Sequence, residues 1–203
     1  MFVPRKGSPM SNFIVDHFKD VAKLITESAI SLQVPISEAI ALFTLSLKHG
    51  NKILACGNGG SAADAQHFTS ELMGRFEKER GPLPAVALNT DTSLLTAVAN
   101  DYHFKQVFAR QVYGLGRAGD VLLAISTSGN SSNIIAAVEA AHKLEISVVM
   151  LTGRDGGILS KTLNPNDILI NVAHSRTAFI QEVHAIVIHC LCEGVDNHLI
   201  QLD

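Results

Sequence analysis

His67 and Glu71 stand four residues apart after a glycine-rich turn, so on a helix both side chains share a face and could meet at one centre. Taken alone, such a pair is also what a solvated salt bridge looks like. Far downstream, Gln181, Glu182, His184 and His189 alternate with Ile180, Val183, Ile186, Val187 and Ile188, as on a core helix with one polar edge. Each of these by itself reads equally well as a satisfied or exposed polar residue. The run Ser126-Thr127-Ser128-Gly129-Asn130-Ser131-Ser132-Asn133 is different, because its hydroxyls crowd against a helix that begins near Ile134. Hydroxyls and a helix N-terminus together can surround a phosphate monoester without adding charge, and so let it leave again. That suits a sugar phosphate, although Ser131 or Ser132 could also serve merely as a helix cap.

A second loop, Gly57-Asn58-Gly59-Gly60-Ser61-Ala62, also runs into a helix and leaves N–H groups for an anion or a close-approaching hydroxyl. It fits the G-x-G-x-x-A dinucleotide pattern, but no acidic residue closes the next strand at the usual spacing, since Asp91 comes too late. It lacks the lysine of a P-loop, and an ordinary tight turn fits it equally well.

The elements that must position these residues follow from the apolar pattern. From Ser11 to about Gln33, Ile14, Phe18, Val21, Leu24 and Ile25 form a helical stripe, and Pro35 with Ser37 as N-cap predicts a second helix closed by Gly50. Thereafter five short apolar runs, at 52–56, 84–88, 121–125, 147–151 and 167–172, are each followed by a helix-sized segment. Continuous rather than alternating apolarity predicts a parallel sheet covered on both faces, a three-layer α/β sandwich. Ligands of such folds sit outside the carboxyl ends of the strands, where both loops fall.

The chain has 203 residues, 47% hydrophobic and 17% charged, which predicts one folded domain. A formal charge of −3 without a basic run argues against a direct nucleic-acid partner. No uninterrupted apolar stretch approaches the roughly 18 residues of a membrane span. Three cysteines, Cys56, Cys190 and Cys192, form no C-x-x-C pair, and predict a reducing, cytoplasmic location. Residues 1–10 have no apolar signal-like region and read as an extension or cloning remnant, with Met10 as the natural start and residues 11–203 as the domain.

The segments C-G-N-G-G-S-A-A-D-A-Q-H-F-T-S-E-L, A-N-D, I-S-T-S-G-N-S, L-T-G-R-D-G-G and I-Q-E-V-H-A-I-V-I-H together resemble the bacterial phosphoheptose isomerases of the sugar isomerase (SIS) superfamily. The likeness runs from the N-terminal helices to about Asn197. It implies a flavodoxin-like SIS domain with N-terminal oligomerisation helices. It also implies interconversion of sedoheptulose 7-phosphate and D-glycero-D-manno-heptose 7-phosphate, on the way to lipopolysaccharide heptose. Carried onto matching positions, it implies substrate contacts at Asn58, Gly59, Gly60, Ser61, Glu71, Asn100, Asp101, Ser126, Thr127, Ser128, Ser131 and Gln181. It implies zinc at His67, Glu71, Gln181 and His189, an N/O donor set that suits zinc and would accept other divalent metals. An aldose–ketose exchange through an enediol needs a base and an acid, for which Glu71 and His189 are the candidates.

Gln181 and His189 are eight residues apart, about 12 Å along one helix, too far for one metal with bonds near 2 Å to collect both. A site shared between subunits is expected, with His189 taken from a neighbour, consistent with the family's tetramers. One departure stands out: some relatives carry Asp-Arg before I-Q-E, where this chain has Ala178-Phe179. The competing reading is a noncatalytic tetrameric SIS protein that binds the replication initiator, toward which Leu88-Asn89-Thr90-Asp91 and Cys190-Leu191-Cys192 lean. Against it, a binding module has no need of an acid and a base opposite a phosphate loop.

Overall fold

The computed structural model describes residues 9–200. Two helices, α1 (Pro9–Ser31) and α2 (Gln33–Lys48), meet at an angle of 65° and precede the sheet. The expected extension 1–10 lies outside the described residues apart from Pro9 and Met10, which open α1. Ser37 does not cap α2. The helix already starts at Gln33, Pro35 is accommodated in its first turn where no intrahelical N–H is required, and the Ser37 hydroxyl donates back to the Gln33 carbonyl at 2.9 Å.

Beyond Gly50 the chain alternates: β1 (Ile53–Cys56), α3 (Gly60–Met73), β2 (Ala85–Ala87), α4 (Thr92–Asp101), α5 (Ala109–Leu115), β3 (Val121–Ser126), α6 (Ser132–Lys143), β4 (Ser147–Gly153), β5 (Ile168–Val172) and α7 (Thr177–Ile200). All strand pairs are parallel, in the order β2-β1-β3-β4-β5, which is the flavodoxin-like order. Alternate side chains divide the core. Ile53, Ala55, Leu123 and Val149 face α1, α2, α3 and α7, whereas Leu54, Cys56, Leu122 and Met150 face α4, α5 and α6. Both faces of the central strands are therefore dry, as their unbroken apolarity predicts.

The helix α7 carries the polar residues of interest and lies in the first of these layers, against α2 and α3. Its segment Thr177–Leu199 is long and apolar enough to cross a membrane, yet half of it is buried inside the fold. Gln181, Glu182, His184 and His189 interrupt its apolar run, so a search for uninterrupted stretches passes over it. A buried core helix has the same composition.

Candidate active site at the strand ends

In a 2-1-3-4-5 sheet the connections from β1 and β3 leave in opposite directions, opening a crevice beyond their carboxyl ends. The loops after β1 and β3 meet in that crevice. Asn58 and Asn133 exchange reciprocal amide hydrogen bonds, both 2.8 Å, and Asn133 is buried. Asn89, after β2, donates to the Gly57 carbonyl at 2.7 Å and holds the same turn from its other side. Gly59 adopts φ +57°, and a side chain at Gly57 would run into the Ser61 backbone, so this turn cannot be built without glycine.

The helices α3 and α6 both start here, and neither is capped by a side chain. By contrast, α4 takes an ordinary cap, with the Asp91 carboxylate accepting from the Leu94 N–H at 2.9 Å. Ser131 does not act as a cap: its hydroxyl meets that of Ser126 at 3.0 Å. Ser128 accepts the Asn130 N–H at 3.2 Å, which leaves its own O–H free to donate. Two uncapped helix ends with Ser126, Thr127, Ser128 and Ser131 around one of them form an uncharged anion cradle.

Gln181 reaches this cradle from α7, since a Cβ added at Gly60 would overlap its amide. Ile180 packs in the same way where a Cβ on Gly153 would lie. The first turn of α7 thus sits over the ends of the central strands.

His67 and Glu71 occupy α3 two turns further on, and His67 Nε2 lies 3.2 Å from Glu71 Oε1. The ring of His189 stands edge-on to that of His67, with centroids 5.0 Å apart and planes at 85°. All three belong to one chain, because α3 and α7 run parallel and keep Gln181 beside Gly60 while His189 comes beside His67. This corrects the expectation that His189 would have to come from a neighbour. Gln181 is the one left apart, separated from the trio by roughly 10 Å of helix. Two imidazoles and a carboxylate are donors zinc accepts, and to that extent they fit. Among the described residues, however, no three His, Cys, Asp or Glu side chains converge tightly enough to hold a metal ion.

Asn100 and Asp101 are not brought to the cradle either. They are exposed at the end of α4, where the Asn100 amide donates to the Asp101 carboxylate at 2.9 Å, and Asp101 lines a separate hollow with Tyr102, His103 and Arg110. At the departure noted in the sequence, Phe179 is buried, with the Arg176 guanidinium 4.0 Å above its ring and the rings of His174 and His17 packed against it.

Three polar residues escaped sequence reasoning. Asn133 is the buried partner of Asn58. Asp64, one turn before His67, has a buried Oδ2 without a hydrogen-bond partner, and burial pushes its carboxyl up to about 6 against the opposing pull of His67. Arg80 follows α3, with its side chain largely covered. It pairs with Asp196 of α7 at 2.6 Å and donates to the backbone carbonyls of Glu71 and Leu72, both at 2.8 Å. Only Asp64 carried a signal, its i, i+3 spacing to His67. The other two became visible once the topology was known.

Comparison with known proteins identifies the family and the fold. Residues 16–153 match the SIS domain family model. The chain is 55% identical to the phosphoheptose isomerase of Azoarcus sp. (strain BH72) over 186 residues, covering 92% of this chain and 94% of that protein. It is 54% identical to that of Neisseria meningitidis over 188 residues, covering 93% and 95%. Among solved structures, phosphoheptose isomerase GmhA from Neisseria gonorrhoeae superposes with a TM-score of 0.89 at 50% identity, covering 93% of this chain and 99% of that one. The Francisella tularensis phosphoheptose isomerase superposes with 0.90 at 45% identity, covering 93% and 98%.

Proposed function

The chain belongs to the phosphoheptose isomerases of the SIS family, and from that premise we propose that its hydroxyl cradle takes the phosphate of sedoheptulose 7-phosphate while Glu71 and His189 exchange the protons. The observation that carries this reading is the uncapped start of α6 ringed by Ser126, Thr127, Ser128 and Ser131, with the His67–Glu71–His189 wall on the same pair of parallel helices.

The enzyme interconverts a ketose and an aldose heptose 7-phosphate. Glu71 removes a proton from C1 of the ketose, the electrons move into a C1–C2 enediol as the C2 oxygen gains a proton, and return of a proton to C2 with loss of the O1 proton leaves the carbonyl at C1. His67 holds the Glu71 carboxylate from one side at 3.2 Å, and His189, exposed beside it, delivers the proton to the developing oxygen. Were His67, Glu71 and His189 to draw together on a zinc ion, with Gln181 of a second copy as a further ligand, that ion would polarise the sugar oxygens. Asn58, Gly59, Gly60 and Ser61 line the turn beside the phosphate.

A homotetramer with shared sites completes the arrangement. Its support is the separation of Gln181 from the trio, the remoteness of Asn100 and Asp101 from the cradle, and the apolar faces left open. Phe13 and Phe18 of α1 are 61% and 73% exposed, and Ile25, Leu32, Ile36, Val183 and Val187 line an apolar groove between α1, α2 and α7. The free thiols of Cys56, Cys190 and Cys192 support work in the cytoplasm, and the product belongs to lipopolysaccharide heptose synthesis. Incubating the purified protein with sedoheptulose 7-phosphate and following the aldose product by NMR tests the reading. Product at a catalytic rate is expected, and none in the presence of added zinc would overturn it.

A further inference from the structure

The motif L-T-G-R-D-G-G ends β4 and forms the turn after it, and it has no part in the chemistry above, yet its turn lies directly against the phosphate cradle. Gly129 and Gly157 both adopt positive φ, +63° and +58°, and their backbones touch: a Cβ on Gly129 would overlap the Gly156 carbonyl, and one on Gly157 would come within 2.5 Å of the Ser128 carbonyl. Leu159 N–H donates to the Gly129 carbonyl at 3.0 Å. Asn130 closes the junction. Its amide nitrogen donates to the Ser128 carbonyl at 2.9 Å, while its amide oxygen accepts the Ile158 N–H at 3.0 Å.

We propose that Asn130, clamped to the Gly156–Ile158 turn, is a positioning residue that sets the cradle's hydroxyls for the substrate phosphate. A loop of serines and glycine is otherwise free to rotate, and ordering it on binding would cost affinity. The turn after β4 fixes it beforehand. The Ser128 carbonyl is occupied by the Asn130 amide and the Ser128 Oγ accepts the Asn130 N–H, so the remaining direction of that hydroxyl is its donor. The effect belongs to binding of the phosphoryl group and not to the proton transfers, because the side-chain bonds of Asn130 are made only to the Ser128 carbonyl and the Ile158 N–H, within the cradle loop and the turn beside it.

This inference rests on the reading of the loop as the phosphate site, and the experiment separates the two. Asn130→Ala removes both amide bonds at an exposed position, and its KM for sedoheptulose 7-phosphate should rise about tenfold. The inhibition constant of inorganic phosphate should rise in parallel, with kcat within about twofold and the melting temperature within a few degrees of the parent. Gly157→Ala, which pushes a methyl toward the Ser128 carbonyl, should give the same split. If Ser126→Ala with Ser128→Ala raises both constants and Asn130→Ala raises neither, the clamp is refuted and the phosphate site stands. If the serine pair leaves both constants unchanged, the phosphate site falls and the clamp with it. A fall in kcat at unchanged KM in Asn130→Ala also refutes it.

Discussion

At the scale of single residues, the site combines groups that are cheap to keep with one that is costly. Glu71 is partly exposed and paired, so Glu71→Gln should fold and assemble normally while losing roughly 10²-fold or more in kcat, the range for a removed general base. Near-normal turnover would take the base role from it. Asp64 is the costly one, a carboxylate with a buried, unpartnered oxygen. Its folded pKa, about 6, lies above the 3.8 of a free aspartate, so the native state holds the proton more tightly than the unfolded chain does. Stability from this group is therefore full below pH 4, falls as pH rises toward 6, and is flat above. Asp64→Asn should melt higher than the parent at pH 7.5 and lose that advantage at pH 4. An equal gap at both pH values in thermal melts would contradict this. The Ser126–Ser131 cluster was legible in the sequence because hydroxyl density before a helix is a local property. The Asn58–Asn133 pair was not, because its members are 75 residues apart and meet only through the strand order.

At the scale of elements, the alignment of α3 with α7 makes the site, since it puts His189 beside His67 and Gln181 beside Gly60. Arg80 and Asp196 fix that alignment at the far end, with side chains only 7% and 3% exposed. Arg80→Met would strand the Asp196 carboxylate and free the carbonyls at the end of α3. Chemical denaturation should show a loss of about 3–5 kcal/mol, and a loss under 1 kcal/mol would mean that the pair is dispensable. The His184 ring reinforces the register at the other end of the layer: it is wholly buried, its Nε2 lies 2.9 Å from the Thr152 carbonyl, and burial pulls its pKa down to about 4. The five strands and their parallel pairing were legible because strands dry on both faces leave unbroken apolar runs. The boundary of α2 was misread because Pro35 and Ser37 imitate a start that Gln33 had already made. The direction of α7 relative to α3 was not legible at all, so nothing in the spacing along α7 showed that His189 lies beside His67 of its own chain.

At the scale of the whole molecule, one chain keeps its trio and its cradle about two helical turns apart along α3. The trio lies on α3 and α7, the hydroxyl cradle with Gln181 lies at the strand ends, and Asn100 pairs with Asp101 at the end of α4. Exposed apolar side chains on α1 and the groove beneath it offer the surface through which copies can join. A closed symmetric assembly that set the trio of one copy before the cradle of another would complete every site at once. Mixing inactive chains tests this arrangement. A Glu71→Gln chain keeps its cradle and a Ser126→Ala, Ser128→Ala chain keeps its trio, so reassembling the two should restore sites with both halves intact. Glu71→Gln mixed with His189→Ala should restore nothing, since both faults fall in the same wall and every site inherits one of them. Recovery from that second mixture would place Glu71 and His189 on different chains in the working enzyme. No recovery from the first, once mass spectrometry has confirmed mixed oligomers, would confine the site to one chain and require the cradle and the trio to serve the same substrate along α3.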